Sequence, residues 1–385
     1  MLTLTQGEFT SDRPDKKPLS WQVPVIAQTV GSATSARTLV TGGKATLEVP
    51  GCGVVVVNAG QSGYYRTLYS PEQFAAIKSG FAKLAPIDQL GILNDTASFG
   101  WAGLLPVSNF LDLAQATPAD ADPQIWSNVA DSFDSIDSYY DGDVPRQNVF
   151  RAFAIARLAP VLARVGWTVQ PGELVPVTDL RTKLIGTLSA LGDPAVIAEA
   201  RRRYAAQSAD PNAVPVALRK TILGVVARHA DATAWDQLHA AAQAEKTPLI
   251  RDELYWQLST TEDEALARRA LALAITDEPG ATTSPEMIQG VSRLHPMLAF
   301  DFAMAHLAEV DTKVDKSDRS YYYPRLGRNS LDPAMIGKLK AYADAHVTAT
   351  SRHATDIAIA MISYRIKVRN ERLPAVDAWL KSNGH

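Results

Sequence analysis

The chain has one cysteine, Cys52, among 385 residues. No intrachain disulfide can form and no site built on several thiolates can be assembled, which fits a cytoplasmic protein. Long apolar runs are also missing, so there is no candidate for a transmembrane helix, which needs about eighteen such residues. The opening Met1-Leu2-Thr3-Leu4-Thr5-Gln6 is polar at every second position and lacks a basic segment followed by an apolar one. It reads as an amphipathic strand, not a signal peptide. Charge of one sign is scarce: 38 Lys and Arg face 41 Asp and Glu, for a net charge of −3. Nothing electrostatic therefore calls for a nucleic-acid or anionic-membrane partner. The basic run Arg201-Arg202-Arg203, flanked by Glu199, reads as a solvated helix face.

Catalytic signatures are absent as well. None of the seven histidines opens a His-Glu-x-x-His pattern, which would set two imidazoles around zinc on one helical face. Lone helical histidines such as His229, His239 and His306 read as surface or satisfied core groups. Gly60-Gln61-Ser62-Gly63 approaches a nucleophile elbow, but Tyr64 stands where the last glycine belongs and a strand is expected to follow, not a helix. Thr38 occupies the position where a phosphate-binding loop ending at Gly43-Lys44 needs glycine. The acidic stretch Asp131, Asp134, Asp137, Asp141 and Asp143 invites a calcium reading, since hard cations collect carboxylates. A loop begun at Asp137 has Tyr139 at a ligand position and Asn148 where a bidentate glutamate is needed, so three aspartates on a solvated helix face are expected instead.

What the sequence does contain changes character near residue 60. Before it, short alternating or β-branched segments predict strands at residues 2–9, 21–27, 37–40, 44–49, 53–58 and 64–69. Charged and proline-bearing Asp12 to Pro18, Thr41-Gly42-Gly43-Lys44 and Pro50-Gly51 separate them as turns. The unbroken Val54 to Val57 implies a strand covered on both faces, as a two-sheet sandwich provides. About seventy residues make a sandwich that is marginal alone.

From Ser70 the signals are helical. Ser70-Pro71-Glu72-Gln73 combines an N-cap, a proline at the first helical position and a glutamine able to close a capping box. A capping residue followed by proline recurs at Asp122-Pro123, Asp193-Pro194, Asp210-Pro211, Ser284-Pro285 and Asp332-Pro333. Leu180, Leu184, Leu188 and Leu191 keep helical spacing, as do Leu254, Leu258, Leu266 and Leu271. Between Asp193 and Ala308 helices begin about every fourteen to twenty-two residues, the rhythm of stacked helix pairs. The expected fold is a small β-sandwich at 1–69 followed by a large all-α domain at 70–385, built of antiparallel pairs in a HEAT/armadillo-like superhelix.

Several segments resemble one family. Tyr64-Tyr65-Arg66 is similar to the end of the small β-sandwich in the gluzincin zinc aminopeptidases, the aminopeptidase N family. Trp21-Gln22-Val23-Pro24-Val25 resembles its Trp-x-x-Pro strand, and Leu4-Thr5-Gln6 with Phe9 the strand before that. Pro86-Ile87-Asp88-Gln89-Leu90-Gly91-Ile92-Leu93-Asn94-Asp95 is similar to the opening of its helical domain. Gly192-Asp193 with Glu199-Ala200, then Glu245-Lys246 with Leu254, follow its helix pairs. The resemblance implies that a catalytic domain carrying zinc, its ligands, a general-base glutamate and a Gly-x-Met-Glu-Asn segment precedes this part. It implies further that Met1 is an introduced start, and that the first sheet lacks one strand and has an open edge.

In that family the helical domain is a bowl that closes over the active site and holds the far end of a peptide. The partners implied are the upstream zinc domain and a peptide substrate, with a homo-oligomer left open. The compartment depends on whether the parent carries a leader. No cofactor is expected in this chain, and zinc only in the parent. A peptide's terminal carboxylate in a semi-enclosed space needs paired donors. By this analogy Arg293, Tyr322, Arg325 and Arg328, around Tyr321-Tyr322-Tyr323-Pro324-Arg325, are the candidate peptide-binding residues. A packed interhelical loop is the plainer reading of the tyrosines. Where some relatives place a carboxylate-contacting arginine, this chain has Gln257 and Leu258. The alternative function is a free-standing helical-repeat binding module with a β cap. An independent hydrolase lacks any nucleophile, base and orienter visible in the sequence.

Overall fold

The computed structural model describes residues 1–10, 19–207, 209–210 and 213–385. The turn expected at Asp12 to Pro18 and Pro211 of the expected Asp210-Pro211 helix start lie outside the described residues. Among the described residues a small β part of five strands is followed by eighteen α-helices. The chain divides into two compact units, residues 1–187 with 368–385, and residues 188–367.

In the first unit, β1 (Leu2–Thr5) pairs antiparallel with β4 (Lys44–Leu47), and β2 (Val23–Thr29) lies between β3 (Ser35–Val40) and β5 (Val55–Val57). Gly42 and Gly43 both take positive φ, and a Thr41 to Lys44 bridge closes their tight turn. That turn carries the chain from one sheet to the other. Val25, Ala27, Val40, Leu47 and Val57 form the apolar core between the strands. The valine strand is covered on both faces, but the second cover is helical. Helix Pro71–Gly80 packs against β5, and Gly80 lies against Val54.

The strand expected at 64–69 is not formed. Asn58 and Gln61 take positive φ and bend the chain. The segment is then held by side chains: the Thr67 amide donates to Asp95 (2.8 Å), and the Tyr69 hydroxyl meets both the amide (3.0 Å) and the carbonyl (3.3 Å) of Val57. These bonds satisfy polar groups that a sheet ladder would otherwise have paired.

Helix starts follow the caps read from sequence. The Ser70 and Gln73 capping box is complete, and Asp122 and Asp193 accept amide bonds at their helix N-termini. Asp332 accepts from the Ala334 amide at 2.8 Å. Ser284-Pro285 differs: helix Thr283–Ser292 has already begun there, and Ser284 is buried inside its first turn. The C-terminal helix Leu373–Ser382 packs on Ser108–Ala116 and Val144–Val165. Asp377 accepts from the Tyr140 hydroxyl (2.8 Å) and from Arg146 (2.6 Å). An aromatic cluster of Phe110, Phe133, Phe150, Phe153 and Trp379 fills the space beneath.

The second unit is all helical. Helices neighbouring in sequence pack in pairs: Pro194–Ala206 on Arg219–Arg228, Ala232–Ala244 on Pro248–Leu258, and Glu264–Ala274 on Thr283–Ser292. Thr283–Ser292 also packs on Pro248–Leu258, and Pro296–Ala305 on Arg319–Gly327, so successive pairs share one core.

Candidate functional site

The tyrosine cluster is a helix, Arg319–Gly327, not an interhelical loop. Its inner face carries Tyr322, Tyr323 and Leu326, all buried. The outer face carries Tyr321 and Arg325, one turn apart, with half-buried Arg328 as the C-cap. Tyr322, a candidate for peptide contact, is therefore turned inward, 4% exposed, and its hydroxyl donates to the Pro285 carbonyl at 3.0 Å. It locks its helix to Thr283–Ser292, whereas Tyr321 is the ring that faces out, 54% exposed.

The same two helices carry the three candidate arginines. Tyr322 and Pro285 set the first halves of the two helices side by side. Near the other ends, Arg293 caps Thr283–Ser292 and lies close enough to Arg328 for their charges to repel. Arg325 lies one turn before Arg328 on the same helix and also acts on its charge. Arg293 sits over the Trp256 ring, 5.2 Å from its centroid, and that ring's helix closely approaches Gly290. Among the described residues none of the three makes an ion pair. In the same unit Arg228, Arg269, Arg319 and Arg352 each have a carboxylate. Partial burial, then the charges of Arg325 and Arg293, lower the Arg328 pKa from the usual arginine value. Gln257 and Leu258 are buried, with Gln257 bonded to Glu253.

The other groups singled out in the sequence are internally satisfied. Arg202 and Arg203 both pair with Glu199, and Arg201 donates to the His229 carbonyl. Asp137 is a correction to the solvated-face expectation: it is buried, and Arg151 grips both of its oxygens at 2.8 Å. Asp131 binds Lys183, and Asp143 binds Arg146. Among the described residues no three His, Cys, Asp or Glu side chains gather to hold a metal.

A Ser189, His229 and Glu262 relay escaped the sequence reading because its members are far apart in sequence, on a helix, at a helix C-cap and in a loop. His229 Nε2 is 3.0 Å from the Ser189 hydroxyl, and Nδ1 is 3.2 Å from Glu262. The order is that of a serine hydrolase, but the role is structural. Ser189 is 1% exposed, and its own carbonyl also lies 3.0 Å from Nε2, so the hydroxyl is sealed from any acyl donor. Burial works against the Glu262 charge, yet His229 and Arg228 together hold its pKa at about 2. The relay borders an open cleft of about 460 Å³ lined by Pro194, Arg201 and Asp263.

Some of the residues that carried the family resemblance act as fasteners. Asp88 and Asp95, on one face of helix Pro86–Ala102, accept the amides of Gly60 (2.8 Å) and Thr67 (2.8 Å). Arg66 pairs with Asp95 at 3.1 Å. Gly91 lies directly against the Gln61 side-chain amide, which a Cβ at that position would displace.

A small β part followed in sequence by paired helices defines the architecture. The chain belongs to the ERAP1-like C-terminal domain family, whose model matches residues 54–363. It is similar to Aminopeptidase 2 of Candida albicans, at 24% identity over 242 residues, 62% of this chain and 24% of that protein. Aminopeptidase M1 of Arabidopsis thaliana is 23% identical over 249 residues, 63% of this chain and 28% of that protein. The Puromycin-sensitive aminopeptidase of Caenorhabditis elegans is 22% identical over 276 residues, covering 69% and 29%. The chain thus spans under a third of the length of these relatives. The family and these relatives agree with the aminopeptidase resemblance seen in the sequence.

Proposed function

We propose that this chain forms the part of a zinc aminopeptidase that encloses the peptide substrate and holds its far end. In this reading residues 1–69 are a sandwich domain and residues 70–385 a helical domain. Zinc and the catalytic groups belong to an upstream domain, and opening of the helical domain gates substrate entry. In this reading the chain's own contribution is binding and orientation. The observation that supports the reading best is the group of three arginines without carboxylate partners. A carboxylate leaving water needs charged donors, and a guanidinium supplies a planar fork for it. Arg293, Arg325 and Arg328 serve as those donors, Tyr321 lies beside them, and Tyr322 fixes their helix in register.

The test is binding of an N-terminally labelled octapeptide to the purified chain by fluorescence anisotropy, as free acid and as C-terminal amide. Charge-assisted hydrogen bonds of about 1.5–3 kcal/mol correspond to the acid binding about tenfold or more tightly. Arg325→Ala should reduce that advantage. Equal affinity for acid and amide would remove the arginines from the proposal.

A further inference from the structure

The arginine cluster holds more positive charge than one peptide terminus can balance. Arg293, Arg325 and Arg328 carry three charges, and no carboxylate pairs with any of them among the described residues. Arg293 and Arg328 stand at helix C-termini, whose dipoles supply roughly half a negative charge each. Trp256 adds a ring face to Arg293, which is weaker still. Together these leave well over one positive charge uncompensated, and a single α-carboxylate leaves the cluster net positive. We infer that the cluster selects peptides with an acidic C-terminal residue, holding the α-carboxylate and the side-chain carboxylate together. This rests on the tail-holding reading above.

The spacing suits that occupant. Arg325 and Arg328 are three residues apart at the end of one helix, so their stems rise about 5–6 Å from each other. The two carboxylates of a terminal glutamate are separated by a similar distance, on the order of one helical turn. Each can take one guanidinium fork, and Arg293, whose charge reaches Arg328, adds to the positive field. Arg328 is half-buried and also feels the charges of Arg325 and Arg293, and that mutual repulsion is relieved more fully by two negative charges than by one.

The experiment compares three labelled alanine-glycine octapeptides on the full chain at low ionic strength: a free acid ending in Glu, a free acid ending in Gln, and the Gln peptide as its amide. The Glu acid should bind about tenfold more tightly than the Gln acid, and the Gln acid more tightly than the amide. Arg328→Gln should bring the Glu to Gln ratio toward one. Arg325→Gln, at an exposed position, should do the same with an unchanged melting temperature. Equal binding of the two acids, with a weaker amide, would overturn the acidic preference and leave the tail-holding reading standing. Equal binding of all three would overturn both.

Discussion

Among the described residues of the first unit, Glu173 and Arg181 form the most enclosed ion pair. Arg181 is fully buried and spends its donors on both Glu173 oxygens (2.6 and 2.7 Å) and on the Val165 and Gly166 carbonyls (2.9 and 2.8 Å). It therefore ties the loop after helix Val144–Val165 to helix Val175–Ala190. The Arg181 bonds hold the Glu173 pKa at about 2, against an ordinary 4.5. An acid with a depressed folded pKa stabilises the fold above its unfolded pKa, and that contribution fades as pH falls from about 4.5 to about 2. Glu173→Gln should cost on the order of 3 kcal/mol at neutral pH by stranding a buried guanidinium, and should flatten the loss of stability over that acid window. Urea unfolding of both proteins across pH 2–7 measures this; parallel curves would contradict it. None of this was legible in the sequence, because the meaning of Glu173 depends on a burial that composition does not reveal. Asp137 was misread for the same reason: its helical spacing fits a solvated face, and only the fold places Arg151 against it.

Elements were more legible than contacts. Caps are local, so Ser70, Asp122 and Asp193 could be read directly as helix starts, and they act as such. The 64–69 segment was misread because its side-chain pattern suits a strand, while positive φ at Asn58 and Gln61 depends on surroundings. The Tyr140 to Asp377 bond joins residues 237 apart, and no periodicity reports such a pairing. Helix approach has a similar hidden basis at Gly290. A Cβ there would lie 1.9 Å from the Ser259 hydroxyl and 2.9 Å from its Cβ, and Ser259 is itself buried. Gly290→Ala should therefore destabilise by about 1–3 kcal/mol through overpacking. It should also weaken peptide binding, since Trp256 and Arg293 lie at that contact. Adding Ser259→Gly should recover part of the melting temperature; no recovery would place the strain elsewhere.

At the scale of the whole molecule, the order of a small β part followed by a large helical one was readable from the change of signals near residue 60. The candidate site was readable only in part. Arg293, Arg325 and Arg328 were singled out and remain the proposed donors, but Tyr322 points inward and Tyr321 outward. A residue's side of a helix follows from which neighbours pack against it, and those come from distant sequence. The family match and the short span of the relatives' length both bear on the proposal that this chain serves a catalytic domain it does not contain. The most direct test is the mass of the native protein in its source cells, by immunoblot with an antibody raised against this chain. A band more than twice the chain's 41.6 kDa is expected, with aminopeptidase activity in the precipitated protein. A single band at 41.6 kDa would contradict the proposal and make the chain a free-standing helical binding module.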